Sequence, residues 1–236
     1  MKTPALKVQI DSDGCGLHFL ILEESQKPIR VDVDFSKRNK IGLKSDLLAR
    51  AIGYRASQKD EGQKLRIVDA TSGLCRDSFH MASLGCHVLA LEENKMLYRV
   101  VSDQISRLSD ECHLKIENTE AKKYFKNWLA NFSAENKNVD VVYLDPMFPE
   151  KRKSAKSGKE SILLKLLAPI VSSEQETELL DLALQVATKR VVVKRPLSAP
   201  SLKPTHKKYL KPNIQFEGKA VRYDVYVCSY EGLGKG

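Results

Sequence analysis

One short segment carries residue types suited to a specific piece of chemistry. The apolar run Val139-Asp140-Val141-Val142-Tyr143-Leu144 delivers Asp145-Pro146-Met147-Phe148-Pro149. A planar exocyclic amine has its lone pair delocalised into the ring, so its nitrogen is a poor nucleophile. Asp145 Oδ and a backbone carbonyl near Pro146 can accept both of its N–H bonds and turn the lone pair toward an electrophile. Phe148 can stack on the ring that carries the amine. The two prolines stiffen a loop that must hold this geometry closely. Asp145, Pro146 and Phe148 are therefore the candidate catalytic residues.

Two other segments suit a cofactor. The run Leu65 to Asp69 leads into Asp69-Ala70-Thr71-Ser72-Gly73-Leu74-Cys75-Arg76-Asp77. A single glycine stands where a dinucleotide fingerprint has three, and those glycines serve the approach of backbone to a pyrophosphate. S-adenosylmethionine has no pyrophosphate, and a loop of small residues such as Thr71 and Gly73 suffices beside its methionine portion. Glu92 ends the next apolar run, 23 residues after Asp69. An acidic side chain at that distance can accept hydrogen bonds from both ribose hydroxyls.

These residues need a framework that brings strand ends together. Residues 1–36 alternate as extended structure, with a hairpin at Gly14-Cys15-Gly16. Lys44 to Ile52 has helical spacing and stops at Gly53, and Ala56 to Lys64 reads as a linker. From residue 65 onward, short apolar runs (Leu65 to Asp69, His87 to Glu92, Leu114 to Glu117, Val139 to Asp145, Arg190 to Lys194) alternate with helical segments. That rhythm implies βαβ units and a parallel sheet, with ligands beyond the carboxyl ends of the strands. One helix is marked by capping-box spacing at Ser173 and Glu176 and by the stripe Leu179, Leu182, Ala183 and Val186. Tyr124 and Trp128 sit on another helix and read as core. Two extended runs, Ile214 to Phe216 and Val221 to Tyr230, close the chain. The expected fold is α/β: a mostly parallel, Rossmann-like sheet of the class I methyltransferase kind with a C-terminal antiparallel hairpin. Residues 1–60 form a small N-terminal segment and 61–236 the methyltransferase domain.

Composition narrows the partners. The chain has 236 residues and a net charge of +9, which favours a polyanionic partner. Lys151, Arg152, Lys153, Lys156 and Lys159 follow the Asp145 loop directly, and Lys194-Arg195 and Lys203 to Lys211 extend the basic character. Their place beside the active mouth suggests phosphate contacts. An amine within folded RNA must be exposed or flipped before it reaches Asp145. The five scattered cysteines have no Cys-x-x-Cys spacing and read as free thiols. No metal-ligand spacing, signal peptide or membrane span is evident, so a cytoplasmic enzyme without a metal is expected, monomeric or weakly dimeric.

Taken together, Asp69 to Asp77, Ala82 to Cys86, Glu92, Val142 to Pro149 with Lys153 to Ala155, Ala187 to Pro196 and Arg222 to Tyr226 resemble the bacterial 16S ribosomal RNA guanine-N2 methyltransferases of the RsmJ type. The resemblance covers roughly residues 65 to 230. It implies methyl transfer from S-adenosylmethionine to the N2 amine of a guanosine near the 3′ end of small-subunit rRNA, in the 30S subunit or as RNA. By position it implies cofactor contacts at Arg76, Asp77, Glu92, Glu93, Thr119, Glu120 and Asp145. Three places depart from the family pattern: Cys75 replaces glycine, Glu93 replaces arginine, and Thr119-Glu120 replaces two serines. Cys75 fits if its φ is negative. Asp145-Pro146 alone also permits a methyltransferase of adenine-N6 or protein glutamine. A non-catalytic rRNA-binding assembly factor that kept the fold is a further alternative.

Overall fold

The computed structural model describes residues 6–24, 26–35, 45–55, 64–131, 139–147, 158–168, 171–206, 209 and 211–228. The chain opens with strands β1 (Lys7–Asp13), β2 (Gly16–Leu22) and β3 (Ile29–Val31), paired antiparallel in that order. Gly16 takes a φ of 109° as β2 begins, a conformation that suits a residue without Cβ. Helix α1 (Leu47–Ile52) starts later than the spacing from Lys44 suggested. Asp46 caps it by accepting the Ala49 N–H at 3.0 Å, and Gly53 ends it in the left-handed region.

The regular alternation then begins: β4 (Arg66–Asp69), α2 (Arg76–Ser83), β5 (His87–Leu91), α3 (Lys95–Ile105), β6 (Leu114–Glu117), α4 (Ala121–Ala130) and β7 (Val141–Leu144). It continues through α5 (Lys159–Leu167), α6 (Ser173–Val186) and β8 (Arg190–Pro196), and ends in β9 (Ile214–Glu217) and β10 (Val221–Val227). The larger sheet has the order β6-β5-β4-β7-β8-β10-β9. Strands β4 to β8 run parallel, whereas β10 is antiparallel to both β8 and β9. The order of the strands reverses between β4 and β7, which opens a crevice beyond their carboxyl ends.

Both faces of this sheet are covered, so its central strands are apolar throughout. Ile67, Val141, Tyr143 and Val192 face one core, which the N-terminal sheet shares through Phe19, Ile21 and Val31 and α1 through Leu48 and Ile52. Val68, Val142, Leu144, Val191 and Val193 face the other, against Phe125 of α4 and Leu180, Ala183 and Val186 of α6. Tyr124 and Trp128 pack on this second core, as expected. Each large aliphatic side chain buried in this way stabilises the fold by about 1.5–3 kcal/mol.

The start of α6 corrects one reading. The capping box is Ser172 with Gln175, not Ser173 with Glu176: Ser172 Oγ accepts the Gln175 N–H at 3.3 Å and Gln175 Oε1 accepts the Ser172 N–H at 3.0 Å. Glu176 is instead drawn inward to Arg195. Leu180 joins the buried stripe, and Leu179 turns toward the crevice. The linker expected at 56–64 lies, apart from Lys64, outside the described residues. No helix among the described residues is long and apolar enough to cross a membrane.

Candidate active site

A cavity of about 450 Å³ fills the crevice at the carboxyl ends of β4, β5, β6 and β7. Sites for small molecules commonly have this size. Of the candidate residues, Asp69, Thr71, Gly73, Arg76, Asp77, Glu92, Glu93, Thr119, Glu120, Asp145, Pro146 and Lys194 all line it. Leu97, Leu164, Val171, Leu179 and Leu202 supply apolar walls that their sequence positions gave no reason to select. Phe148, Lys151, Arg152, Lys153 and Lys156 lie outside the described residues.

Glu92 ties the cofactor side together. Its Oε2 accepts the Gly73 N–H at 2.9 Å and its Oε1 the Asn94 N–H at 2.8 Å. Its own carbonyl accepts the Thr119 N–H at 3.1 Å, so the loops after β4, β5 and β6 meet at one residue. Burial pushes the Glu92 carboxyl up to about 7, against the two backbone donors. Asp69 is likewise pushed up to about 7 by burial, opposed by bonds from Ser78 Oγ and from the Thr71 N–H. Asp69 thus organises the loop and the start of α2. Thr71 reaches across the crevice as well: its Oγ1 accepts the Asp145 N–H at 2.6 Å.

The loop between Thr71 and α2 corrects a second reading. Cys75 has a φ of +54°, in the left-handed region that favours the glycine usual there. It is fully buried beneath the loop. A β-branched residue there would be strained by backbone and by volume alike, at about 2 kcal/mol. Cys75→Val is expected to lower the melting temperature by roughly 4–8 °C, whereas Cys75→Gly melts within a few degrees of the parent or above it. Thermal melts followed by circular dichroism check both.

On the catalytic side a cluster of ionisable groups surrounds Asp145. Lys194 Nζ donates to Asp145 Oδ2 at 3.0 Å and to Asp77 Oδ2 at 2.8 Å, and Tyr143 Oη donates to the same Asp77 oxygen at 2.5 Å. The strand register explains the meeting: Leu144 pairs with Val193, so the next residues, Asp145 and Lys194, come side by side. Asp145 keeps 40% of its side chain exposed toward the cavity. Burial in the crevice nevertheless raises its carboxyl, with Lys194 opposing and Asp77 reinforcing. Burial alone would lower the Lys194 ammonium, but Asp145 and Asp77 push it above its ordinary value.

These placements alter three expectations about phosphate contacts. Lys194 faces carboxylates in the cleft. Arg195, only 2% exposed, points through the opposite face of β8 to Glu176 Oε1 at 2.9 Å. Lys159 Nζ donates to the Arg30 carbonyl at 3.0 Å and so tethers α5 to the N-terminal sheet. Arg76 lines the cavity but also bridges elements, bonding the Asp34 and Asp32 carbonyls and pairing with Glu160 of α5 at 2.5 Å. Nothing local in the sequence marks these partners, because each lies at least 19 residues from the basic residue it meets.

The residues present fit S-adenosylmethionine. A buried carboxylate at a strand end, a small-residue loop without a pyrophosphate cradle and an apolar wall together suit a ribose, a methionine portion and an adenine. Glu92 and Asp77 are the groups placed to hold its polar parts.

The sheet order, the antiparallel terminal hairpin and this crevice define a class I methyltransferase. The chain belongs to the family whose model is described as "Putative SAM-dependent methyltransferase", matched over residues 4–228. It is 37% identical over 227 residues to the ribosomal RNA small subunit methyltransferase J of Thioalkalivibrio sulfidiphilus, covering 91% of this chain and 82% of that protein. The protein of the same description from Pseudoalteromonas atlantica is 35% identical over 245 residues, at 94% and 90% coverage. Among solved structures, a SAM-dependent methyltransferase from Neisseria gonorrhoeae superposes with a TM-score of 0.63 at 27% identity, covering 98% of this chain and 86% of that one.

Proposed function

We propose that this protein transfers a methyl group from S-adenosylmethionine to the exocyclic N2 amine of one guanosine near the 3′ end of small-subunit rRNA. The observation that carries the reading is the position of Asp145. Its carboxylate stands at the end of β7, in the cavity whose other side holds Glu92, with an oxygen available toward the open space. The relatives named above point to rRNA, and the net charge of +9 suits a polyanion. When bound, S-adenosylmethionine supplies an electrophilic methyl group carried on a sulfonium sulfur.

The chain's residues then divide the work. Asp145 and the backbone at Pro146 accept the amine N–H bonds and aim its lone pair, and Phe148 packs on the base. Glu92 and Asp77 hold the cofactor, with Arg76, Glu93, Thr119 and Glu120 around it. Lys151, Arg152, Lys153 and Lys156 contact phosphates beside the mouth. The reaction uses no metal ion, and the enzyme works in the cytoplasm as a monomer or weak dimer. Residues 61–236 form the catalytic domain, and 1–60 a small N-terminal segment.

The test is methyl transfer from labelled S-adenosylmethionine to small ribosomal subunits purified from cells lacking this protein. Label on one guanine near the rRNA 3′ end is expected. Absence of transfer to subunits and to naked rRNA, with cofactor binding intact, would sink the substrate assignment.

Cofactor binding is expected to depend on pH through Glu92. Burial pushes its carboxyl up to about 7, so toward lower pH it takes up a proton and loses the charge that favours the ribose hydroxyl bonds. Affinity for S-adenosylmethionine should therefore fall about tenfold between about pH 8 and about pH 6. Glu92→Gln should bind more weakly at the higher pH and show a shallower profile, the remainder coming from Asp69 and Asp145 in the same cavity. Titration calorimetry across that range measures both.

A further inference from the structure

The cluster around Asp145 is asymmetric. Lys194 bonds Asp145 through Oδ2 alone, and among the described residues no donor is bonded to Oδ1. Asp77 holds the other side of the ammonium at 2.8 Å, and Tyr143 Oη anchors that same Asp77 oxygen. The Asp145 backbone is fixed independently, by its N–H donating to Thr71 Oγ1. Lys194 is 23% exposed, with two of its three N–H donors already given to carboxylates. A phosphate at this place would have to compete with both.

We infer that Lys194 is a positioning residue for Asp145: held in place by Asp77, it fixes Oδ2 and leaves Oδ1 to accept the N–H of the substrate amine. The inference rests on the proposed amine methylation. Two carboxylates and one ammonium leave the cluster with one net negative charge, which suits the positive charge that develops on the amine nitrogen. Without the cation, Asp145 would face Asp77 with nothing to offset the repulsion, which favours the protonated form of Asp145. A protonated Asp145 presents an O–H where the amine needs an acceptor.

Among the described residues, the charged and titratable groups facing Asp145 are Lys194 of β8, Asp77 of α2, Asp69 of β4, Tyr143 of β7 and Tyr223 of β10, and Arg195 acts on it from across the strand. Asp69, whose carboxyl burial pushes up to about 7, adds negative charge only where it is ionised. Arg195 is engaged by Glu176 on the far face of the strand. Among the described residues, Lys194 is thus the cation bonded to Asp145.

Lys194→Gln keeps donor groups and removes the charge. At neutral pH it is expected to lower kcat roughly tenfold to a hundredfold, with less than about a threefold change in KM for the small subunit. The acid limb of its rate profile should move up by about one pH unit or more, so that the deficit shrinks in alkali. Lys194→Arg retains the cation and should leave the limb near its parental position. Titration of the Asp145 carboxyl by carbon-13 NMR, without substrate, should show the same upward movement in Lys194→Gln, with calorimetry of S-adenosylmethionine binding confirming that each variant is folded. An unmoved Asp145 midpoint, or a limb that moves equally in both variants, overturns the inference. Failure of the parent protein to methylate small subunits overturns the proposed function instead, and the NMR midpoint still decides the role of Lys194.

Discussion

Asp145→Ala is expected to lower kcat for methyl transfer about a thousandfold while S-adenosylmethionine still binds within about tenfold of its normal affinity. The physical case begins with the substrate nitrogen. A conjugated amine becomes nucleophilic only when its lone pair is turned out of conjugation and the charge that then develops is stabilised. A carboxylate at fixed distance does both, because it accepts an N–H bond and carries the opposite charge. The fold holds that carboxylate at a strand end, with its backbone bonded to Thr71 and one oxygen bonded to Lys194. Alanine removes the acceptor and leaves the rest of the cavity standing, since Glu92 and Gly73 do not depend on Asp145. Single-turnover rates with labelled cofactor, alongside calorimetry, separate the two effects. A variant retaining more than about a tenth of the parental rate would remove Asp145 from the catalytic role.

Glu176→Ala is expected to destabilise the protein by about 3–5 kcal/mol, through Arg195. The pair is among the most enclosed in the molecule, with side chains 2% and 7% exposed and a contact of 2.9 Å. Taking the carboxylate away leaves a guanidinium charge held out of water without that counter-ion. A chain of this length should melt roughly 6–20 °C lower. Glu176→Ala combined with Arg195→Leu should recover much of the loss, because an apolar side chain carries no such penalty. Thermal melts of the two single variants and the double variant give the coupling directly. A loss below about 1 kcal/mol in Glu176→Ala would show that Arg195 is satisfied without Glu176.

The elements that hold the site were readable where the cause was local. Asp145, Glu92 and the loop from Asp69 to Asp77 each follow a short apolar run. A short apolar run reads as a strand from its own residues, and the residue that closes it then stands at that strand's end. The glycine at 53 and the turn before Gly16 were visible for the same reason: a φ accessible mainly to glycine is a property of one residue. Other features were decided by competition between neighbours. Ser172 and Ser173 are equally good cap residue types, and the structure uses Ser172 with Gln175, while Glu176 turns in to Arg195. Cys75 occupies the left-handed region in a loop whose Gly73 N–H bonds Glu92, a partner 19 residues away.

Lys194 and Arg195 mark the boundary most clearly. As adjacent basic residues beside an active mouth, they read as one phosphate-binding pair. A strand sends successive side chains to opposite faces, so one step along the chain separates them by the thickness of the sheet. Lys194 meets Asp145 and Asp77, and Arg195 meets Glu176 under α6. By itself the sequence determined the strands, the carboxylates at their ends and the class of chemistry, because these depend on periodicity and residue type. Only the tertiary structure decided which charges meet, because that depends on the order of strands β4, β7 and β8 and on their register, and local propensity is blind to both.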